Sequence, residues 1–264
     1  MKMKRILVVP DVHGRTFWKE PVMKHLDDVD IVVFLGDYLD PYSDEDGLAP
    51  DIFENLMEIV ELKRANREKV ILLKGNHDEH YSSIRFCELA HGSRMDKQNW
   101  DKYHEFFNEY SELFKIAQLE EVNGFPYVFT HAGLTAYWLN KVNSTLWHMN
   151  DNEISISDPH IIEKINALDS TVQGQVLLSV VGKRRSFIGG EKTGSVLWAD
   201  VNEHPTPRAY IVYGLSQAFQ VFGHTIIDKG TNDMILFENF AMIDSQQCFI
   251  IDEGSQERIK TLRD

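Results

Sequence analysis

The sequence predicts an α/β fold of two packed mixed β-sheets flanked by helices, and three observations predict it. Short runs of Val, Ile and Leu alternate with helix-spaced segments through the first half of the chain. Strand-like runs then follow one another closely in the second half. Asp, His and Asn fall directly behind the apolar runs, the pattern of a ligand-bearing sheet edge.

Ile6 to Val9, Ile31 to Leu35 and Val70 to Leu73 are apolar at every position, as parallel strands buried on both faces must be. Between the second and third, Ile52, Phe53, Leu56, Met57, Ile59, Val60 and Lys63 recur at helical spacing, and Pro50-Asp51 is a start signal. Strand, helix and strand in this order imply parallel pairing with right-handed crossovers. A further helical stretch over 98–116 carries Trp100, Tyr103, Phe106, Phe107, Tyr110, Leu113 and Phe114 along one side, which reads as core packing. Helical patterns occupy roughly 158–182, and a Gly-rich turn spans Gly189 to Gly194. Short strands are expected at Val196 to Trp198, Ala218 to Phe222, Met234 to Phe237 and Cys248 to Ile251, forming a second sheet with antiparallel pairing. No repeat, low-complexity tract or linker divides the 264 residues, so one domain over 1–264 is expected.

Composition narrows the function classes. The basic start Met1-Lys2-Met3-Lys4-Arg5 precedes only four apolar residues before Pro10-Asp11, too few for a secretion signal. No apolar run approaches the roughly 20 residues that span a bilayer. Cys87 and Cys248 suggest neither a disulfide framework nor a thiolate metal site, and a reducing cytoplasm fits. A net charge of −14 argues against general nucleic-acid binding, which needs clustered Lys and Arg.

The chemistry lies behind the strands. Asp11 and His13 follow the first, Asp37 the second, Asn76, His77 and Asp78 the third, His131 a fourth at Phe129, and His224 a fifth at Phe222. In an extended segment residues i and i+2 point the same way, so Asp11 and His13 can reach one ion. Gly36, Gly75 and Gly223 stand before a polar candidate each time. Any one of these motifs alone is an ordinary turn; five in order are not. Carboxylate, imidazole and amide donors together suit Mn²⁺, Fe or Zn²⁺. Gly189 to Ser195 lacks the Lys-Ser/Thr of a phosphate-binding loop, and Gly214 to Ala218 lacks the second Gly of a serine-hydrolase elbow.

Asp11-x-His13, Gly36-Asp37, Gly75-Asn76-His77-Asp78, His131 and Gly223-His224 together resemble the calcineurin-like metallophosphoesterase superfamily. Gly14, the Gly36-Asp37-Tyr38-Leu39-Asp40 segment and Val196-Leu197-Trp198-Ala199-Asp200 resemble its phosphoprotein phosphatase branch, which includes Ser/Thr phosphatases and diadenosine tetraphosphatases. Ile226 stands where nuclease-like branches carry a last histidine. The resemblance implies a four-layer sandwich with a helical insertion around 80–120. It implies two divalent cations, Mn²⁺ first, with Asp11 and His13 on one, Asn76, His131 and His224 on the other, and Asp37 shared. A bridging water between them would attack phosphorus. His77 would protonate the leaving oxygen, oriented by Asp40.

This chain departs from the branch after Asp40, where Pro41-Tyr42 replaces the Arg that grips phosphate. Arg15, Arg184 and Arg185 are the candidates to substitute. His25, His80, His91, His104, His148, His160 and His204 read as packing or surface residues, although His80 lies three after His77. A phosphomonoesterase is the expected activity; a phosphodiester or dinucleoside polyphosphate hydrolase and a non-catalytic scaffold are the alternatives. A phosphorylated substrate is the expected partner.

Overall fold

A computed structural model describes residues 4–42, 47–83, 94–148, 160–186, 190–203, 206–210, 215, 217–227, 233–252 and 258–262. Cys87, His91, Gly189, His204, Gly214, Ser216 and the His148 side chain lie outside the described residues, as does 84–93 of the expected insertion. The chain divides into two compact units, Met1–Lys115 with Ser245–Asp264, and Ile116–Asp244. Each holds one mixed sheet with flanking helices.

The first unit runs β1 (Ile6–Val9), α1 (Lys19–His25), β2 (Ile31–Phe34), α2 (Ile52–Ala65), β3 (Val70–Leu73), α3 (Asn76–Ser82), α4 (Trp100–Glu109) and β4 (Phe114–Lys115), and ends with β10 (Phe249–Ile251) and β11 (Lys260–Thr261). Its sheet order is β11-β10-β1-β2-β3-β4. β1 through β4 are parallel, while β10 runs antiparallel to β1 and β11. Every residue of β1 and β3 is buried, the physical reason their sequences alternate with nothing polar. Asp51 starts α2 as expected: its carboxylate accepts the amides of Phe53 and Glu54 at 2.9 and 3.0 Å. Val9 pairs with Phe34, and Phe34 with Leu72, so the three strands end in step. Asp11, Asp37 and Asn76 therefore leave one sheet edge within a few residues of the last strand pairing.

The second unit contains β5 (Ala117–Val122), β6 (Phe125–Thr130), α5 (Ala136–His148), α6 (Ile161–Leu168), α7 (Val172–Leu178), β7 (Phe219–Phe222), β8 (Ile235–Leu236) and β9 (Phe240–Met242). Its order is β5-β6-β7-β9-β8. β5 and β6 form a hairpin closed by Asn123 and Gly124, with φ of 55° and 79°, the backbone a two-residue turn demands. Val201, Tyr210, Phe222, Ile227, Phe240 and Met242 build a core against one end of this sheet.

Three expectations are corrected. The 98–116 helix ends at Glu109; a 3₁₀ turn at Ser111–Leu113 follows, and Phe114 is extended and pairs with Leu72. The aromatic stripe outlasts the helix because Phe114 still packs on Phe107 and Tyr38, at 5.4 and 5.7 Å, in the core where Tyr103 and Phe106 also lie. The helical patterns expected over 158–182 are found as two helices, the second started by the Thr171 hydroxyl, which accepts the Gly174 amide at 3.0 Å. Val196 to Trp198 is a set of turns, because Ser195 accepts the amides of Leu197 through its hydroxyl and of Trp198 and Ala199 through its carbonyl. In the second sheet β6, β7 and β9 are parallel and only the edges antiparallel, while Phe249–Ile251 joins the first sheet beside β1.

Candidate metal centre

Beyond β1 and β2 the two chains stay paired. The amides of Val12, His13 and Gly14 donate to the carbonyls of Gly36, Asp37 and Tyr38, extending the ladder into the loops. This extension carries Asp11, His13 and Asp37 together: all three are buried, and each offers a ligand atom within 4.8 Å of the others. His13 Nε2 lies 3.4 Å from Asp37 Oδ2. His13 Nδ1 lies 2.9 Å from the Leu39 carbonyl, a contact only an Nδ1–H can make, so Nε2 keeps its lone pair for an ion.

The geometry is strained where it is functional. Among the described residues six non-glycine residues have positive φ, and four are His13 (45°), Asp37 (52°), Asp40 (58°) and His224 (68°). Gly36 and Gly75 make the close approach of the loops after β2 and β3 feasible. A Cβ on Gly75 would fall 2.0 Å from Asp37 Oδ1, and one on Gly36, whose φ is 105°, only 2.4 Å from the Gly75 amide nitrogen.

Asp78 fastens these loops. Its Oδ2 accepts the amides of Asp37 and Gly75 at 2.7 and 2.8 Å, and its Oδ1 that of Tyr38 at 2.9 Å. The Asp37 carboxylate in turn accepts the His77 amide at 2.9 Å, so its direction is set from both sides. An Asp78→Asn variant presents an NH₂ to at least one of these amides, and an unsatisfied buried donor costs about 1–3 kcal/mol. The expected result is a lower melting temperature and metal affinity weakened about 10–100-fold, read by calorimetry and Mn²⁺ titration. Unchanged affinity would reduce Asp78 to a folding role.

Burial, followed by the neighbouring Asp11, pushes the Asp37 carboxyl well above its usual range, and burial, then His77, holds His13 well below its own. Two carboxylates facing each other out of water are stable in ionised form when a cation shares them. Neutral imidazole and two carboxylates make a borderline-hard donor set that fits a divalent ion, and Asn76, the first residue of α3, is buried behind β3. In the second unit, His131 follows β6 and His224 follows β7. The Gly223 amide donates to the His131 carbonyl at 2.8 Å, and His131 Nε2 lies 3.1 Å from His224 Nδ1. Two buried imidazole nitrogens at that separation can face one ion.

His77 sits beside the first cluster, its ring edge-on to His13 at 5.1 Å. Its Nδ1 is 2.8 Å from Asp40 Oδ2, so Nε2 is the nitrogen left for proton transfer. Burial lowers the His77 pKa to about 4, although Asp40 pulls it up. Burial alone would raise Asp40, but hydrogen bonds from His77, His80 and Tyr81 outweigh it and hold Asp40 below the usual carboxylate range. His80 and Tyr81 were not legible as site residues. Yet His80 Nδ1 lies 3.7 Å from Asp40, and the Tyr81 hydroxyl donates to the other Asp40 oxygen. Their only sequence signal is that α3 returns to the same side after one turn.

Arg15 is buried, with Nε and Nη2 donating to the Val12 and Asp11 carbonyls, both at 3.0 Å. It braces the loop that carries Asp11. Arg184 and Arg185 line a recess with Asp200, Asn202, Thr225 and Ile226. Asp200 Oδ2 receives Arg185 Nε at 3.0 Å and stands 3.8 Å from Arg184 Nε. Glu203, unmarked in the sequence, anchors this loop by accepting the Arg184 amide at 2.9 Å.

No curated protein sequence matches the chain. Among solved structures it is similar to a protein serine/threonine phosphatase from Saccharomyces cerevisiae with similarity to human phosphatase PP5. That match has 17% identity and a TM-score of 0.49, covering 99% of this chain and 80% of that one. It is also similar to an archaeal phosphodiesterase, at 11% identity and a TM-score of 0.36, covering 98% of each. The family model for calcineurin-like phosphoesterases matches residues 4–226. With the ligand-bearing loops and the family match in agreement, the chain belongs to the calcineurin-like phosphoesterases, hydrolases acting on phosphoester bonds.

Proposed function

We propose that the chain is a dinuclear metal-dependent phosphomonoesterase of the phosphoprotein phosphatase branch, acting as one domain on phosphoproteins or small phosphorylated molecules. The observation that carries this reading is the buried Asp11, His13 and Asp37 cluster with the His77–Asp40 pair at its side. Asp11 and His13 hold one cation, Asn76, His131 and His224 the other, and Asp37 is common to both. Mn²⁺ is the proposed occupant, with Fe and Zn²⁺ compatible with the same donors. When bound, such a pair acidifies water and neutralises charge on the phosphoryl oxygens.

The remaining work falls to side chains. His77 delivers a proton from Nε2 to the leaving oxygen while Asp40 holds Nδ1 and stabilises the imidazolium. An arriving phosphoryl dianion raises the His77 pKa, so the acid is charged by its own substrate. Arg184 and Arg185 orient phosphate oxygens, Asp200 keeping both guanidinium groups in place, and Arg15 supports from behind the Asp11 loop. A cytoplasmic setting accords with the buried free thiol of Cys248, and no helix among the described residues is long and apolar enough to cross a membrane.

Metal analysis coupled to a substrate panel tests the proposal. Protein stripped with chelator and reloaded with Mn²⁺ should bind two equivalents. It should turn over aryl and alkyl monoesters and a phosphopeptide faster than a diester or diadenosine tetraphosphate. Preference for the diester or the dinucleotide would replace the monoesterase reading, and activity indifferent to chelation would end it.

A further inference from the structure

Arg94 is far in sequence from every motif, yet it lies against the loop that bears Asp40. Its Nε donates to the Asp40 carbonyl at 3.2 Å, and its guanidinium carbon sits 3.3 Å from the centre of the Tyr42 ring. Tyr42 in turn meets the His13 ring edge-on at 5.7 Å. The cation is thus held over an aromatic face and pinned at one nitrogen, two contacts that position the group beside the Asp40 loop. Its charge reaches the cluster, bearing on His13, Asp37 and His77.

Two facts separate this arginine from Arg15. Arg15 gives two donors to carbonyls of its own loop, whereas Arg94 reaches the Asp40 carbonyl through Nε. Arg94 Nη2 is buried and, among the described residues, has no hydrogen-bond partner. A charged donor left without an acceptor is an unstable arrangement by itself, and it implies an acceptor that arrives with a ligand. A tetrahedral dianion is the acceptor an arginine edge fits best.

We infer that Arg94 is a substrate-binding residue that receives a phosphoryl oxygen, with Tyr42 and the Asp40 carbonyl as its mount. The inference rests on the phosphoesterase reading above, and goes further by placing phosphate recognition on a residue that belongs to none of the motifs. Because Pro41 holds the chain between Asp40 and Tyr42, the mount is rigid where the arginine needs it.

Inorganic phosphate is the probe, with binding to the Mn²⁺-loaded protein measured by calorimetry and inhibition of aryl phosphate turnover measured alongside. Arg94→Gln should weaken phosphate binding about 10–100-fold, as loss of a charge-assisted hydrogen bond does. KM should rise by a similar factor, with metal content unchanged. Arg94→Lys keeps the charge but not the fork and should recover part of the loss. The lysine variant carries the test alone if the glutamine variant does not fold. Phosphate binding within twofold of the parent in the folded variants would make Arg94 a structural brace and overturn the inference. If the parent protein, loaded with Mn²⁺, neither bound phosphate nor hydrolysed any ester, the phosphoesterase mechanism would fall first, and Arg94's role with it.

Discussion

Replacing Asp37 with asparagine is expected to reduce bound metal from two ions to one or none and to lower hydrolysis by at least about 10³-fold, since the Lewis-acid contribution is lost. The same substitution should stabilise the metal-free protein at neutral pH. Burial and Asp11 raise the folded pKa of Asp37 above its unfolded value. The folded state therefore binds this proton more tightly. The favourable contribution is full below the unfolded pKa of about 3.8 and is lost as pH rises through the folded value. At neutral pH an ionised Asp37 opposes folding, and a neutral amide does not, while its oxygen can still accept the His77 amide. Melting curves with and without Mn²⁺ read both effects. The variant should melt higher than the parent without metal and gain less when metal is added. Full retention of two ions would remove Asp37 from the shared position.

His77→Asn should separate proton donation from everything else. Turnover of alkyl phosphates should fall about 10²–10⁴-fold, the usual worth of a general acid. Turnover of 4-nitrophenyl phosphate, whose leaving group needs no proton, should fall less than about tenfold on the same grounds. Metal content should not change, since the His77 side chain bonds Asp40 and the backbone amide that Asp37 accepts is kept in the variant. Equal losses on both substrates would take the proton-donor role away from His77. An Asp40→Asn variant should show the same preference at smaller size, because it misorients the imidazole without removing it.

Much of this was legible in the chain itself, for physical reasons that can be named. Parallel strands buried on both faces admit nothing polar, so β1, β2 and β3 announce themselves as unbroken apolar runs of Val, Ile, Leu and Phe. The ligands follow because a side chain that must meet an ion at a sheet edge has to come right after the strand. What stayed hidden depends on contacts that sequence spacing does not encode. The pairing in the second sheet stayed hidden because strands of two or three residues, such as Ile235–Leu236 and Phe240–Met242, are too short to show which neighbour each takes or in which direction. Leu197-Trp198 reads as strand by composition, yet Ser195 captures the amides a strand would need. Tyr81 and Arg94 reach Asp40 across 41 and 54 residues, a pairing visible only once the chain has folded.

The place of β10 has a consequence for biosynthesis. β1 leaves the ribosome well before the neighbour that completes its hydrogen bonding, Phe249–Ile251. At bacterial or eukaryotic elongation speeds that leaves one side of a fully apolar strand uncovered for roughly 10–50 s. Unit Ile116–Asp244 is continuous and can mature in that interval. The nascent chain thus carries an open strand border throughout that interval, the kind of border that recruits chaperones and that self-associates when they are scarce.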